Sequence, residues 1–201
     1  MDLSPVTLRG RRVTLVPLTA DHGPALAAAI GTDPVFRYFG GLPAADSAAV
    51  PAFLAVAEAM VAAQTAVPFC TLDAATGAPI GSSRIAMIDP QHRRGEIGWT
   101  FLIPRYQRSG TNREAKYLML RHAFETMGFN RIQISTHHEN IQSQTAIAAL
   151  GAVKEGVLRN HIIMGDGSNR HTVVFSIVPD EWPAIKARLE AQLYPDGDIP
   201  A

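Results

Sequence analysis

The amino-acid sequence predicts one domain of mixed α/β fold, in which a single mixed sheet carries helices on both faces. Two polar turns, DAATGA and GDGSN, each join a pair of strand-like segments and therefore require antiparallel hairpins. The strand, helix, strand order across residues 95–136 predicts a right-handed parallel crossover. The 201 residues are 47% hydrophobic and 18% charged, which suits one substantial core and not a disordered chain.

The first half of the chain predicts a strand, two helices and a hairpin. Residues 11–18 alternate apolar and polar side chains, as a half-buried strand does. Two helices are predicted next. Residues 21–30 follow residues of the types that cap helix N-termini, and residues 45–64 are rich in alanine, which favours helix. Residues 67–73 and 79–88 are the strands of the first hairpin.

The second half predicts the parallel crossover, a further helix and the second hairpin. Strand 95–103 leads into the best helical pattern, 112–127, whose apolar residues recur at three- and four-residue steps before Gly128. The remaining elements are strand 131–136, helix 140–150, strands 153–164 and 170–178, and helix 180–193.

Charge and composition exclude several classes of function. The formal net charge is zero, so we expect no nucleic-acid-binding surface across the domain. The single Cys70 excludes an internal disulfide, and its apolar neighbours predict a buried structural thiol. The HHE sequence at 137–139 does not match HExxH, so we expect no metal. With no targeting segment and no apolar run near ~20 residues, we expect a cytoplasmic protein without a membrane span.

The polar turn at residues 107–112 is the most informative segment, because it lies where a strand ends and a helix begins. A helix start leaves backbone N–H groups unpaired and carries positive dipole character, so it suits a phosphate. The turn lacks both the Lys-Ser/Thr of a Walker loop and the three glycines of a dinucleotide fingerprint. Spacing alone leaves two interpretations: a pyrophosphate-binding loop, or an ordinary strand-to-helix connection.

The segment from EIGWTFLI to NRIQI, followed by NIQSQTAIAALGAVKEGVLR, resembles the GNAT superfamily of N-acetyltransferases, in particular its RimJ/RimL-type branch. The Gln-x-x-Gly-x-(Gly/Ala) loop is present as Gln107, Gly110 and Asn112, with asparagine in place of the usual small residue. An Asn-x-x-Ser helix opening is present as Asn140 and Ser143. The resemblance covers nearly the whole chain. It implies a GNAT-like single N-acetyltransferase domain over residues 1–201, with a mostly antiparallel sheet and splayed central parallel strands.

The resemblance implies acetyl transfer from acetyl-CoA to a primary amine, and it assigns residues to the acyl donor. Loop backbone would bind the pyrophosphate, and strand backbone would bind the pantetheine and the thioester oxygen. Asn140 would hold the pantetheine amide or cap its helix. The residues expected to bind acetyl-CoA are Thr100, Phe101, Leu102, Ile103, Gln107, Arg108, Ser109, Gly110, Thr111, Asn112, Asn140 and Ser143.

Three side chains are candidates for catalysis. Glu96, just before the proposed pantetheine strand, is the first candidate for a general base, and the alternative is a structural carboxylate that pairs with Arg93, Arg94 or a neighbouring residue of the sheet. His137 is the second candidate, since an imidazole pKa near ~6.5 suits a base. By resemblance, Ser143 would assist the leaving thiolate. The tyrosine acid that many members carry is Ile147 here, so that acid is excluded.

The acceptor side is expected at the loop 31–43, with Arg37, Tyr38 and Phe39, although an ordinary surface loop with core-anchoring aromatics is the alternative. The acceptor is an amine, either a protein N-terminus or a small molecule. Other cleft candidates are Trp99, Asn160, His161 and Arg170.

Two other functions stay open at this point. The missing tyrosine leaves room for a non-catalytic acyl-CoA-binding or regulatory module. A basic residue at the acyl pocket, Arg37 or Arg159, would favour transfer of another acyl group such as succinyl. The long hairpin 153–178 has strand edges that suit pairing between two subunits, which predicts a homodimer.

Overall fold

A computed structural model describes residues 1–200 and, within that range, contains one eight-stranded sheet. The strands are β1 Leu8–Arg9, β2 Val13–Pro17, β3 Val67–Asp73, β4 Pro79–Asp89, β5 Arg94–Leu102, β6 Arg131–His137, β7 Val153–Ile163 and β8 Asn169–Ile177. The order across the sheet is β1-β2-β3-β4-β5-β6-β8-β7. Neighbours are antiparallel except β5 and β6, which are parallel. The predicted mixed, mostly antiparallel sheet is confirmed.

Five α-helices connect these strands within residues 1–200. They are α1 Gly23–Ile30, α2 Val50–Ala62, α3 Thr111–Arg121, α4 Ile141–Ala149 and α5 Trp182–Leu193. None of the helices in the described range is long and apolar enough to span a membrane.

Helices cover both faces of the sheet, as predicted. Adjacent residues of a strand point to opposite faces, and Ser83 and Arg84 of β4 show this at the centre of the sheet. Ser83 Oγ accepts a hydrogen bond from Lys116 Nζ of α3 at 3.1 Å. Arg84 Nη2 donates to the carbonyl oxygen of Phe53 in α2 at 3.4 Å. The central strands are therefore enclosed between α3 and α2.

The core is built from the apolar positions of the central strands and the helices that cover them. Leu15, Phe69, Ile85 and Ile97 are fully buried on β2 to β5.

Cys70 is also fully buried, and burial raises the pKa of its thiol to about 12. Because the thiolate is the nucleophilic form, this cysteine is structural, as the sequence predicts.

Three features differ from the sequence prediction. The two-residue strand β1 is additional, and it is too short to show an alternating pattern. The helix predicted over 112–127 changes to π-helical hydrogen bonding at His122–Thr126. The alanine-rich helix begins at Val50, because Asp46 caps a short 3-10 turn ahead of it by accepting a hydrogen bond from the Ala48 N–H.

β5 and β6 pair only at their first three residues, Arg94–Glu96 with Arg131–Gln133. Beyond Glu96, β5 continues to pair with β4 through Leu102, so its other edge is left open. A bulge accompanies this separation: Ser82 pairs with Phe101 and Arg84 pairs with Gly98, which gives β5 one extra residue. Trp99, within the bulge, has a φ of 49°. The parallel pair therefore splays, as the resemblance implies.

Candidate functional site

The gap between β5 and β6 opens into a cleft with a volume of about 930 Å³, a size typical of small-molecule sites. Most of the residues that the sequence singles out line it. They are Arg37, Tyr38, Phe39, Glu96, Trp99, Thr100, Phe101, Leu102, Gln107, Arg108, Gly110, Asn112, His137, Asn140, Ser143, His161 and Arg170.

Five residues that the sequence singles out do not line this cleft. Ile103 is buried, and its backbone N–H already donates to the Ile80 carbonyl at 3.0 Å. The hydroxyls of Ser109 and Thr111 lie 2.6 Å from each other. Asn160 lines a separate depression on β7 together with Val157, Leu158, Arg159 and His171. Any ligand contact from Ser109 would therefore come from its backbone N–H, whereas the N–H of Thr111 already donates to Ser109 Oγ at 3.4 Å.

The loop 107–112 presents backbone N–H groups at one end of the cleft. Arg108 and Gly110 have φ values of 60° and 88°, so the chain reverses sharply before α3. Within residues 1–200, no protein acceptor bonds the backbone N–H groups of Arg108, Ser109, Gly110 and Asn112. The positive end of the α3 dipole lies at the same place. Free donors and a helix start together suit an anionic group such as a phosphate.

Side chains hold this loop in place from both sides. Gln107 Nε2 donates to the Leu102 carbonyl at 3.0 Å, and Gln142 Nε2 of α4 donates to Gln107 Oε1 at 3.4 Å. Ser109 Oγ donates to the Tyr106 carbonyl at 2.6 Å. The loop is therefore attached to β5 and to α4, the two elements that flank the gap.

Glu114 anchors the first turn of α3 to the turn between β1 and β2. Its buried carboxylate accepts hydrogen bonds from the backbone N–H groups of Arg11, Arg12 and Val13 at 3.0, 2.7 and 2.9 Å. Gly10 leaves room for it, since a Cβ there would lie 2.6 Å from the carboxylate. Glu114 therefore has a structural role.

Glu96 lies where the pairing of β5 with β6 ends. Its carboxylate accepts a hydrogen bond from Gln133 Nε2 at 2.8 Å. Burial raises its pKa above the ordinary value, while the bond from Gln133 and the charge of Arg170 act in the opposite direction. Arg94 instead pairs with Asp89 at 3.1 Å. Gln133 is the residue of β6 directly opposite Glu96, so the contact with a sheet neighbour that the sequence left open is present. A cleft carboxylate with a raised pKa suits proton transfer.

His137 lies at the end of β6, with its ring centre 5.1 Å from that of Tyr38 and 4.5 Å from that of His138. Its Nδ1 accepts a hydrogen bond from the backbone N–H of Glu139 at 3.1 Å. Burial lowers its pKa, which favours the neutral ring. A neutral ring with Nδ1 occupied as an acceptor carries its proton on Nε2. In that form His137 presents a donor to the cleft.

Asn140 and Ser143 form the start of α4. Asn140 Oδ1 accepts from the backbone N–H of Ser143 at 3.0 Å, which is the helix-cap role left open above. Its side-chain NH2 group remains available to a ligand in the cleft. Ser143 and Ile147 are four residues apart, so they share one face of the helix, and both line the cleft.

The loop 31–43, which the sequence predicts to cover the acceptor side, is attached to the second hairpin. Arg170 Nη1 donates to the Tyr38 carbonyl at 2.9 Å, and the Arg37 guanidinium lies 4.7 Å from the centre of the Tyr38 ring. Phe39 packs edge-on against the buried Phe36 ring, 5.4 Å between centres. Phe36 and Phe39 therefore anchor this loop in the core, and Tyr38 faces the cleft.

Lys116 of α3 lines the cleft and was missed by the sequence reasoning. Its Nζ donates to Thr100 Oγ1 at 2.5 Å and to Ser83 Oγ at 3.1 Å, and only 4% of the residue is exposed. Burial lowers its pKa to about 7, against the opposing effect of the Glu96 charge. The signal that indicates it is a single lysine inside the otherwise apolar run AKYLML.

Comparison with known proteins places the chain among acetyltransferases. A family model described as "Acetyltransferase (GNAT) domain" matches residues 12–153. The uncharacterized N-acetyltransferase YoaA of Bacillus subtilis (strain 168) is 32% identical over 99 residues, which are 49% of this chain and 55% of that protein. The chain thus spans about half the length of the curated relatives it matches.

Solved structures show the same fold over nearly the full chain. A crystal structure of a proposed acetyltransferase from T. thermophilus is 37% identical, covers 96% of this chain and 100% of its own, and superposes with a TM-score of 0.83. RimJ of Mycobacterium smegmatis, solved with CoA-disulfide, is 20% identical, covers 94% of this chain and 93% of its own, and has a TM-score of 0.76. At that identity the second comparison shows the fold alone.

Proposed function

Because the chain belongs to the GNAT family of acetyltransferases, we propose that it transfers the acetyl group of acetyl-CoA to a primary amine. The proposal rests on one observation, the placement of two features along the same gap. A loop of unpaired backbone N–H groups lies at one end of the gap between β5 and β6, and the carboxylate of Glu96 lies where that gap begins. The first feature suits a pyrophosphate, and the second suits a reaction that releases a proton.

In the proposed complex, the pyrophosphate accepts hydrogen bonds from the free backbone N–H groups of Arg108, Ser109, Gly110 and Asn112, and the Arg108 side chain adds a charged contact. The pantetheine lies in the gap and pairs with the open edge of β5 at Thr100, Phe101 and Leu102, as an added strand would. We no longer include Ile103 among the residues that bind the pantetheine, because its backbone N–H already donates to the Ile80 carbonyl of β4. The CoA-disulfide bound to the RimJ structure supports a CoA site in this fold.

The proposed reaction is direct attack of the amine nitrogen on the thioester carbonyl carbon. The new C–N bond forms as the carbonyl oxygen becomes negative, and a backbone N–H near Phe101 or Leu102 donates to that oxygen. One such donor is worth roughly 2.7–4 kcal/mol. The C–S bond then breaks, the sulfur leaves with help from the Ser143 hydroxyl, and the proton of the attacking amine passes to Glu96.

Glu96 is the preferred general base over His137. The Glu96 carboxylate can accept a proton, and its raised pKa brings it closer to working pH. His137 presents Nε2–H to the cleft, because its Nδ1 is occupied by the backbone of Glu139. We therefore assign His137 to donating a hydrogen bond near Tyr38 and not to removing the proton.

For the acceptor, we propose a primary amine on a small molecule or on a flexible protein N-terminus, as in RimJ/RimL-type enzymes. The amine must reach Glu96 past Tyr38 and Arg170, which are joined by a hydrogen bond across the cleft end. A net charge of zero argues against a dedicated RNA-docking surface such as ribosome binding favours.

We also propose a homodimer that forms through β7. This strand lies at the edge of the sheet, and its side chains are exposed on both faces along most of its length. Val153, Val157, Leu158 and Ile163 are exposed apolar residues on it. A long edge strand with apolar side chains is a surface that pairs with another chain.

Thiol release from acetyl-CoA tests the function. The purified chain is incubated with acetyl-CoA and a panel of small amines, free amino acids and peptides with free N-termini, and the products are identified by mass spectrometry. We expect amine-dependent thiol release and an N-acetylated product. N-terminally blocked peptides of the same sequence are the matched control.

Two other outcomes separate the alternative functions. Binding of acetyl-CoA without thiol release from any amine would contradict the proposal in favour of a non-catalytic acyl-CoA module. Faster turnover with succinyl-CoA than with acetyl-CoA would point to Arg37, which lines the cleft, as a contact for a longer, charged acyl group.

A further inference from the structure

Lys116 is a buried amine that no step of the proposed reaction uses. It projects from α3 towards the β4–β5 pair and joins a network of hydroxyl groups. Ser83 Oγ and Thr100 Oγ1 lie 2.7 Å apart, and each is also 3.3 Å from the Gly98 carbonyl. Lys116 Nζ donates to both hydroxyls, at 3.1 and 2.5 Å. The network therefore ties α3 to the bulged segment of β5.

The surroundings of Lys116 lack the carboxylate that normally accompanies a buried cation. Within residues 1–200 no acidic oxygen lies within 4.0 Å of Nζ. The charged group that acts on it is Glu96 of β5, at longer range. The partners on β4 and β5 are neutral hydroxyls. A buried amine without an ion-pair partner is expensive to keep charged.

The position of Lys116 coincides with the part of the cleft where charge would develop. Thr100, which it holds, lies in the bulge that precedes the proposed oxyanion donors Phe101 and Leu102. Lys116 itself also lines the cleft. A positive charge in a poorly solvated site acts strongly on a nearby developing anion.

We propose that Lys116 is a positioning residue for acyl transfer, which fixes the bulge of β5 through Thr100 and places an ammonium beneath the thioester oxygen. This inference rests on the proposed function. It also accounts for the residue type. Three of the 18 basic residues are lysines, and an arginine at this place would stay charged at any working pH. Lysine allows the charge to be present or absent near neutral pH.

The pH dependence has a definite sign. The ammonium is the active form, so its contribution is present below a pKa of about 7 and is lost as the pH rises through it. Glu96, the facing carboxylate, acts in the opposite direction, because its active form is the ionised one. Comparing wild type with Lys116→Met at each pH cancels the titration of the acceptor amine. Because Glu96 and Lys116 act on each other, the comparison is repeated in the Glu96→Gln background, which removes the titration of Glu96.

The test is the ratio of wild-type kcat to Lys116→Met kcat from about pH 6 to about pH 9, with both substrates saturating. We expect a ratio of about tenfold or more at the acidic end, falling as the pH rises through about 7. Lys154→Met, on exposed β7, is the matched control and should give a ratio near one throughout. A Lys116→Met ratio that is near one, or that does not change with pH, overturns the proposal.

Thr100→Val covers the case in which Lys116→Met does not fold. It keeps the lysine, the backbone and the side-chain shape, and it removes the hydroxyl that Lys116 holds. We expect a lower kcat with little change in the KM for acetyl-CoA. A wild-type kcat for this variant overturns the proposal.

Side-chain NMR gives a readout that does not depend on turnover. The chain has only Lys116, Lys154 and Lys186, so their side-chain signals are simple to assign by substitution. One lysine signal should titrate near pH 7 and should be missing from Lys116→Met. Titration of all three at ordinary lysine pKa values overturns the proposal. If wild type itself releases no thiol with any amine, the proposed function fails instead.

Discussion

Gly110 is the residue on which the shape of the proposed phosphate loop depends. Its φ of 88° lies in the left-handed region, where an added Cβ costs about 1–2 kcal/mol. We expect the Gly110→Ala loop to relax out of this conformation in the free chain, so that CoA must restore the strain on binding. CoA binding should then weaken by about tenfold, because each 1.4 kcal/mol is a factor of ten. Isothermal titration calorimetry with CoA measures this directly.

Gly77 provides a matched control for that substitution. It lies in the turn between β3 and β4 with a φ of 72°, so Gly77→Ala imposes similar strain away from the cleft. Its CoA affinity should equal that of wild type. Equal affinity for Gly110→Ala as well would show that the loop does not hold the pyrophosphate.

Glu96→Gln tests the general base at nearly constant shape. We expect kcat to fall by about 10- to 100-fold without being abolished, because a thioester is already activated. The wild-type advantage should shrink as the pH falls, since the Glu96 carboxylate, with its raised pKa, becomes protonated and inactive. Steady-state rates across pH measure this.

Glu139→Gln, an exposed carboxylate on the loop before α4, is the control for the Glu96 substitution. It should leave the pH profile unchanged. A Glu96→Gln variant with wild-type kcat would show that orientation and oxyanion donors suffice without this base.

Individual site residues were predicted from the sequence to different degrees. Gln107, Gly110 and Asn140 belong to a motif of fixed spacing, so their place at the cleft followed from the resemblance. Lys116 did not, because a lysine in an amphipathic helix usually faces solvent, and its burial depends on hydroxyl partners 16 and 33 positions away in the sequence.

At the scale of elements, α3 connects three parts of the molecule. Its N-terminus forms the loop, Lys116 holds the bulge of β5, and Glu114 holds the turn between β1 and β2. We expect Glu114→Gln to lower the free energy of unfolding by about 2 kcal/mol or more, since charge-assisted bonds from three backbone N–H groups to this buried carboxylate are weakened.

Urea denaturation measures the Glu114 effect, with Glu58→Gln on the exposed side of α2 as the control. The control should change the unfolding free energy by less than about 0.5 kcal/mol. A stability for Glu114→Gln within that same range would show that the carboxylate does not anchor the helix.

Most helices and strands were predicted from the sequence, and the exceptions are elements without a periodic pattern of their own. Long periodic segments such as β4 and α3 carry their own signal. The two-residue strand β1 does not, because it forms only by pairing Leu8 and Arg9 with β2. The splay between β5 and β6 is also invisible to periodicity, and it entered only through the family resemblance.

At the scale of the whole molecule, the exposed β7 edge predicts self-association. Val157→Lys places a charge on this strand, so we expect it to convert a dimer into a monomer without loss of fold. Val61→Lys on α2 is the matched control, because Val61 and Val157 are both 47% exposed. Light scattering coupled to size-exclusion chromatography measures the mass. A wild-type monomer at micromolar concentration would contradict the proposed dimer.

A crystal structure of the chain with bound CoA tests the central claim most directly. We predict the pyrophosphate within hydrogen-bond distance of the backbone N–H groups of Arg108, Ser109, Gly110 and Asn112. The pantetheine should lie between β5 and β6, and its sulfur should lie near Ser143. CoA bound elsewhere, or a loop that leaves the pyrophosphate without backbone contacts, would contradict the assignment of this cleft as the acetyl-CoA site.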